Sequence, residues 1–185
     1  YHNYSGAYNV ALGSGVMFCN TSGCYNVGLG MESLKLGNTG CCNVAVGYEA
    51  LYSNTTDLNL AIGFRALKFN TTGTQNVAIG SRTLQCNSTG SFNVAVGFAA
   101  LECNLANDNI ALGRYALKDN TTGSNNFGAG HQALVSNTTG ANNTAIGNYA
   151  LQSNTIGGSN FAVGSSALMC NVSGSNNIAL GPARS

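Results

Sequence analysis

The residues that could carry out chemistry are few and lie far apart. Only 7% of the residues are charged. The acidic residues are Glu32, Glu49, Asp57, Glu102, Asp108 and Asp119. His2 and His131 are the only histidines, and Cys41-Cys42 has no C-x-x-C partner, so the chain lacks a typical set of metal ligands. No Ser-His-Asp set or phosphate-binding loop stands apart either. We therefore predict that the protein is not an enzyme and binds no metal or cofactor.

One apparent nucleotide-binding motif has a simpler origin. The string Gly128-x-Gly130-x-x-Ala133 imitates a dinucleotide fingerprint, but no helical pattern follows it. The same positions recur along the chain, mostly as Ala-x-Gly-x-x-Ala, as part of a repeated unit. The repeat, and not an isolated motif, is therefore the feature that requires explanation.

A short unit occurs eleven times and fills the chain. Each copy begins with a short string from Asn to Gly, and the leading Asn recurs at intervals of about 17 residues, with two steps one residue shorter than the others. The leading residues are Asn9, Asn26, Asn43, Asn59, Asn76, Asn93, Asn109, Asn126, Asn143, Asn160 and Asn177. If Tyr1 is placed after Ser185, the step from Asn177 to the next Asn9 again equals the full period, so the 185 residues hold a whole number of units. A fixed period of about 20 residues indicates a solenoid.

Each unit predicts one coil of that solenoid. The first half (residues 76–80, for example) and the second half (around Ala100-Leu101) each have a short alternating pattern that suits a strand and is too short for a helix. Gly and a segment of the Asn-Thr-Thr-Gly type supply two reversals. We predict an all-β fold, a parallel β-solenoid or β-roll of eleven coils of about 17 residues with two short strands per coil. It forms one domain, residues 1–185, open at both ends.

Alternation along the strands assigns the side chains to faces. We expect the residues that flank the central Ala, such as Val77 and Ile79, to point into the coil. Leu67 and Leu84 should point inward from the second strand. The central position is always Ala or Gly and is expected to face outward, as a flat wall against which a neighbouring chain can pack. So short a coil encloses a thin core that gains from such association.

Polar residues also repeat in columns. The eleven leading Asn residues are predicted to form an amide ladder in which each side chain bonds to the next. The alternative is that each Asn is a plain turn former. Glu49 and Arg65 share one column in adjacent coils and are expected to pair on the surface.

Two pairs of cysteines share repeat positions in adjacent coils: Cys24 with Cys41, and Cys86 with Cys103. Coils stacked at about 4.8 Å fall within the Cα–Cα range of a disulfide, roughly 4.4–6.8 Å. We therefore predict that both pairs can form disulfides between coils. The remaining cysteines are expected to be free, buried thiols: Cys19, Cys42 and Cys170.

Asn-x-Ser/Thr sequons recur with the unit. They begin at Asn3, Asn20, Asn54, Asn70, Asn87, Asn120, Asn137, Asn142 and Asn171. Eight of the nine occupy one position, in the outer turn. Turn chemistry explains them, because Asn and Thr suit a tight reversal before Gly. The alternative is a glycan-decorated edge on an extracellular fibre.

The composition restricts the partners. A net charge of +1 provides no electrostatic footprint for nucleic acid or for an anionic membrane. No run of about 20 apolar residues is present, so we predict no membrane insertion. Seven cysteines in a chain with so few charges favour an oxidising, extracellular setting, at a cell or virion surface.

The repeat resembles two known groups of proteins. The string Asn-Val-Ala-Ile/Val-Gly-x-x-Ala resembles the Ser-Val-Ala-Ile-Gly-x-x-Ala repeats in the head domains of trimeric autotransporter adhesins. Residues 143–154 are similar to repeat arrays of phage tail-fibre-like proteins. The resemblance covers the whole chain and implies a left-handed parallel β-roll, a trimer and adhesion to host or matrix surfaces. The adhesin unit is a few residues shorter, and no neck, stalk or anchor is recognisable here.

These features lead us to expect a structural subunit of an extracellular filament. The subunits would stack head-to-tail, because uncapped solenoid ends expose unpaired strand edges. Lateral association as a trimer is implied by the resemblance. The predicted subunit junction comprises Tyr1, His2, Asn3, Gly181, Pro182, Arg184 and Ser185. Arg184-Ser185 replaces the usual Ala-Leu pair, and an excerpt of a longer repeat protein would show the same continuity.

A second hypothesis is an adhesin head or tail-fibre shaft that binds a surface glycan or receptor. Its candidate contacts are aromatic residues that follow the repeat Gly, namely Tyr48, Phe64, Phe98, Tyr115 and Tyr149. Their periodicity is also typical of packing on the solenoid surface. Ice binding is a third hypothesis, but Thr lies in turns here and not on a strand face.

Overall fold

The computed structural model describes residues 5–37 and 39–182. This part of the chain forms eleven strands of three residues each and contains no helix. The strands are β1 Val10–Leu12, β2 Val27–Leu29, β3 Val44–Val46, β4 Leu60–Ile62, β5 Val77–Ile79, β6 Val94–Val96, β7 Ile110–Leu112, β8 Phe127–Ala129, β9 Thr144–Ile146, β10 Phe161–Val163 and β11 Ile178–Leu180. They form one sheet in chain order, and equivalent residues of adjacent units pair in parallel, such as Val77 with Val94. The predicted parallel β-solenoid is confirmed.

Some predicted junction residues lie outside the described part of the chain: Tyr1, His2, Asn3, Arg184 and Ser185. Gly181 and Pro182 lie within it. None of the described residues, 5–37 and 39–182, belongs to a helix that could span a membrane.

The second half of each coil is not a strand, so the prediction of two strands per coil is wrong. This half consists of turns, and its Leu has a left-handed backbone, with φ of 50° at Leu67 and 51° at Leu101. The coils still bond to each other here, since the Leu67 amide donates to the Thr83 carbonyl of the next coil at 3.0 Å. The Asn70 amide closes a turn onto the Leu67 carbonyl at 3.2 Å. Left-handed residues interrupt the extended backbone that a strand requires.

Three non-glycine positions in a typical coil adopt this left-handed conformation. In one coil they are Arg82, Leu84 and Phe92, with φ of 59°, 50° and 60°. Each such residue costs roughly 1–2 kcal/mol relative to the right-handed region. The hydrogen bonds and packing between coils must offset this cost at every turn, so the conformation depends on the stack.

The core is formed by the central Ala of most strands and by the Ala-Leu pairs of the turns, such as Ala66-Leu67. Ala78, Leu67 and Leu84 are fully buried, whereas Ile79 is 37% exposed. The prediction that the Leu side chains point inward is confirmed. The predicted orientation of the strand is wrong, because its central residue points inward and its flanking residues point outward. The coil is too narrow for larger side chains, as shown at Gly128, where an added Cβ would already lie 3.3 Å from the Leu117 side chain. Only a methyl group or a hydrogen fits, so the branched residues face outward.

Two glycines permit the close stacking in most units, whereas the two shorter units carry Thr56 and Ala106 in place of the second glycine. At Gly80, φ is 133° and an added Cβ would lie 2.6 Å from the Gly97 carbonyl oxygen of the next coil. At Gly73, an added Cβ would lie 2.2 Å from the Gly90 oxygen. Both distances are well below contact, so side chains at these positions would force adjacent coils apart.

Candidate functional surfaces

The leading Asn residues form a buried ladder. The backbone amide of Asn76 donates to Asn59 Oδ1 of the preceding coil at 3.0 Å, and its Nδ2 donates to the same oxygen at 3.2 Å. Nδ2 also donates to the Gly90 carbonyl of its own coil at 2.8 Å. The bonds to Asn59 and Gly90 recur with small variations from coil to coil. Each leading Asn therefore both closes its own coil and joins it to the preceding one.

A second Asn ladder runs parallel to the first and was not predicted. Asn70 Nδ2 donates to Asn54 Oδ1 at 2.6 Å and to the Gly73 carbonyl at 2.8 Å. Asn87 bonds to Asn70 and Gly90 in the same way. One sequence signal could have revealed this ladder. Asn104 and Asn154 occupy the same position of the repeat but do not begin a sequon, so a requirement for glycosylation does not explain why this position is Asn.

The second ladder buries most of the asparagines that were predicted as glycosylation sites. Six sequon residues are at most 2% exposed: Asn20, Asn54, Asn70, Asn87, Asn120 and Asn137. Asn171 is half-buried, and its Nδ2 donates to Asn154 Oδ1 and to the Gly174 carbonyl. A glycan on Nδ2 would break these bonds and has no room beside them. Asn142 is exposed, and Asn3 lies outside the described residues.

The two predicted disulfides are absent. All four cysteines are free thiols: Cys24, Cys41, Cys86 and Cys103. In-register stacking explains this. The Cys24 thiol donates to the Ser22 carbonyl and the Cys41 thiol to the Thr39 carbonyl, each two residues back in its own coil. Equivalent side chains therefore point the same way, with Cβ atoms about one coil spacing, ~4.8 Å, apart. A disulfide needs Cβ atoms about 3.8 Å apart that converge.

The other thiols and the remaining ligand types form no centre. Cys42 and Cys170 are exposed and Cys19 is half-buried, so the prediction that they are free is confirmed and the prediction that they are buried is wrong. Burial raises the pKa of both Cys86 and Cys103. In residues 5–37 and 39–182, no cluster of three His, Cys, Asp or Glu side chains could hold a metal ion.

The outer side of the sheet is an apolar face. It consists of the first and third residues of β1 to β11, which are almost all Val, Ile, Leu or Phe. Ile79, Val96 and Leu112 are 37%, 37% and 39% exposed although they lie mid-sheet. Eleven short strands make a surface of roughly 53 by 10 Å. Its area, about 530 Å², is in the upper part of the range for the largest apolar patch on a typical monomer, about 300–600 Å², and such patches are often functional. The exposed wall is therefore branched and apolar, where Ala was predicted.

A second surface, the charged face, carries the side chains that follow the repeat Gly by two and by five residues. Glu49 bonds to Arg65 at 2.7 Å and to Lys68 at 2.8 Å, which confirms the predicted Glu49–Arg65 pair. Burial raises the pKa of Glu49, but the hydrogen bonds and charges of Lys68 and Arg65 outweigh it and the pKa lies below its ordinary value. Two of the aromatic candidates lie beside this face, directly after the repeat Gly: the rings of Tyr48 and Phe64 stack 5.5 Å apart.

The charged face contains a notch of about 340 Å³. It is lined by Arg82, Glu102, Tyr115, Lys118, Gln132 and Val135. Glu102 is 5% exposed and forms an ion pair with Arg82 of the preceding coil. Lys118 pairs with Asp119 at 3.3 Å, and the charge of Asp119 raises the pKa of Lys118. Of the aromatic candidates, Tyr115 is the one that lines the notch. Sequence periodicity did not reveal this site.

No model of a protein family matches the chain, and neither a curated protein nor a solved structure matches it.

Proposed function

We propose that this chain is a structural subunit of an extracellular filament in which subunits stack head-to-tail. The observation that carries the proposal is the constancy of the stack. Strand direction and register are the same at every interface from β1 to β11, including the two shorter units. Each coil therefore presents to the next coil the same hydrogen-bonding groups that the preceding coil presents to it. Such a stack can be extended by adding further coils in the same register.

The atoms of the outer coils support this mode of growth. Inside the stack, the Val77 amide donates to the Asn93 carbonyl of the next coil at 2.8 Å, while the Asn93 amide donates to Asn76 Oδ1 at 3.0 Å. At the last strand, the equivalent groups are the Ile178 amide and Asn177 Oδ1. In the filament they would bond to the carbonyl and amide of Asn9 in the next subunit.

Glycine stacking supports the same junction. An added Cβ at Gly164 would lie 2.5 Å from the Gly181 carbonyl oxygen, a close approach that recurs at the repeat glycines along the stack. In the proposed filament, Gly13 of the next subunit would stack on Gly181 in the same way.

The apolar face supports lateral association with further copies of the chain. A surface of roughly 53 by 10 Å, about 530 Å², supplies about two thirds of the roughly 800 Å² per partner that stable interfaces bury. The resemblance to autotransporter adhesin heads favours three copies. The extracellular location rests on the same resemblance. A second candidate, an adhesin or tail-fibre shaft that binds surface glycans, is favoured by the notch.

The junction can be tested with one substitution and a matched control. Ile178→Pro removes the amide hydrogen that would cross the junction, while the Ile178 side chain is 77% exposed and contributes little to the core. Ile178→Val keeps the amide and a branched side chain. In negative-stain images we expect long filaments from the parent chain and from Ile178→Val, and short rods from Ile178→Pro. Filaments of equal length from all three would overturn the proposed junction.

A further inference from the structure

The notch exists because a column of side chains is interrupted. The position two residues after the repeat Gly carries Arg65 and Arg82 in successive coils, and Tyr115 and Gln132 further along. Between them the same position is Ala99, whose methyl group is fully buried. The side chains of Arg82 and Tyr115 are thus two coil spacings apart, about 9.6 Å. Where Glu49 and Arg65 occupy adjacent coils, they bond directly to each other.

The walls of the notch combine charge, hydrogen-bonding groups and apolar surface. Arg82 and Lys118 supply two positive charges, which are balanced by Glu102 in the notch and by Asp119 beside Lys118. Gln132 adds an amide that can donate and accept. Val135 and the Tyr115 ring supply apolar surface. A volume of about 340 Å³ lies at the lower end of the range for small-molecule sites.

Arg82 and Lys118 differ in how readily they can bind a ligand. Arg82 is held by two partners, Glu102 on one side and Gln85 on the other. Lys118 pairs with Asp119 at 3.3 Å, and the side chains of these residues are 35% and 47% exposed. Exposed pairs of this kind contribute little stability. A carboxylate that enters the notch can therefore replace Asp119 as the partner of Lys118 without loss of a strong interaction.

We propose that the notch binds a pyranose sugar that carries a carboxylate, such as a uronic acid unit of a glycan. The carboxylate bonds to Lys118, the ring hydroxyls bond to Gln132 and to the Arg82–Glu102 pair, and the apolar side of the sugar contacts Tyr115. The ammonium group makes this site selective for acidic over neutral sugars. The site does not depend on filament formation, because all six lining residues belong to one chain.

The decisive variant fills the gap without altering the lining residues. Ala99→Tyr places a ring at a position where Tyr115 and Tyr149 already adopt the same backbone, with φ of 54°, 60° and 62° at the three residues. Ser166→Tyr, at the same repeat position in a distant coil with φ of 58°, is the matched control. Lys118→Gln removes the charge that selects the carboxylate.

Saturation-transfer NMR with sodium glucuronate and with glucose measures binding in rods of any length. We expect the parent chain and Ser166→Tyr to bind glucuronate in preference to glucose, Ala99→Tyr to bind it about tenfold more weakly or not at all, and Lys118→Gln to lose the preference. The absence of glucuronate binding to the parent chain would overturn the proposal. Equal binding of both sugars, or unchanged binding by Ala99→Tyr, would also overturn it. Images of Ala99→Tyr report filament formation separately.

Discussion

At the scale of single residues, two asparagines per coil carry much of the hydrogen bonding. The Gly90 carbonyl accepts a hydrogen bond from Asn76 of the leading ladder and another from Asn87 of the second ladder. The two ladders therefore meet at one carbonyl in each coil. Within residues 5–37 and 39–182, every buried side-chain nitrogen and oxygen has a hydrogen-bond partner. Because an unpaired buried polar group costs about 1–3 kcal/mol, each of these amides contributes to stability.

Replacement of one ladder residue should therefore destabilise the whole stack. Asn87→Ala removes the bonds to Asn70 and Gly90 and the bond received from Asn104. We expect the free energy of unfolding in urea to fall by about 3 kcal/mol. Asn142→Ser is the control, because Asn142 is exposed and Ser159 holds the same position one coil later with φ of 58°. It should change stability by less than about 0.5 kcal/mol. Equal losses in both variants would show that the ladder does not stabilise the fold.

At the scale of the strand, the important feature is which side faces the core. The branched residues lie outside because the space between the strand and the turn accepts only a methyl group. At Gly28, opposite the larger Val16, not even a methyl group fits, since an added Cβ would lie 2.6 Å from the Val16 side chain. The strand is thus small on its inner side and bulky on its outer side, opposite to the usual arrangement in a sheet with one buried face.

A pair of substitutions on one strand tests this orientation. Ala78→Val adds two methyl groups inside the coil, and we expect it to lower the unfolding free energy by about 1–3 kcal/mol through overpacking. Ile79→Val, on the apolar face, should change it by less than about 0.5 kcal/mol in the isolated chain. Both values come from urea denaturation followed by circular dichroism. The reverse order of effects would mean that the flanking residues, and not Ala, fill the core.

The repeat period was sufficient to predict the stack and its register. Equivalent residues such as Val77 and Val94 must pair if every unit forms one coil, and the two shorter units do not disturb this. Which side of the strand faces the core could not be predicted, because the alternation of side chains defines two faces without showing which of them is buried. The left-handed turn at Leu67 also has no local signal, because Leu rarely adopts this conformation and does so here through contacts with adjacent coils.

The surface sites were harder to predict than the fold. The repeated Asn-x-Thr string suits an accessible sequon and a buried ladder equally well, and only the Asn residues that lack a sequon separate the two, such as Asn104. The cysteine pairs were aligned correctly, but spacing alone did not reveal that their side chains are parallel. The notch depends on the small size of Ala99 among larger neighbours, which becomes meaningful only once the columns are built.

At the scale of the whole molecule, the chain has little to keep it apart from other copies. A net charge of +1 provides almost no mutual repulsion. The apolar face extends along the full length of the sheet, from β1 to β11. Both properties favour side-by-side association, and the proposed end-to-end contact would continue the constant register of the stack.

The measurement that tests this account most directly is the axial repeat of the assembled protein, obtained by electron diffraction from aligned material. We predict a strong meridional spacing of about 4.8 Å from stacked coils and a longer repeat of about 53 Å from stacked subunits. The shorter spacing alone, from discrete rods of one subunit length that never join, would contradict head-to-tail stacking. It would leave the rod as a binding shaft.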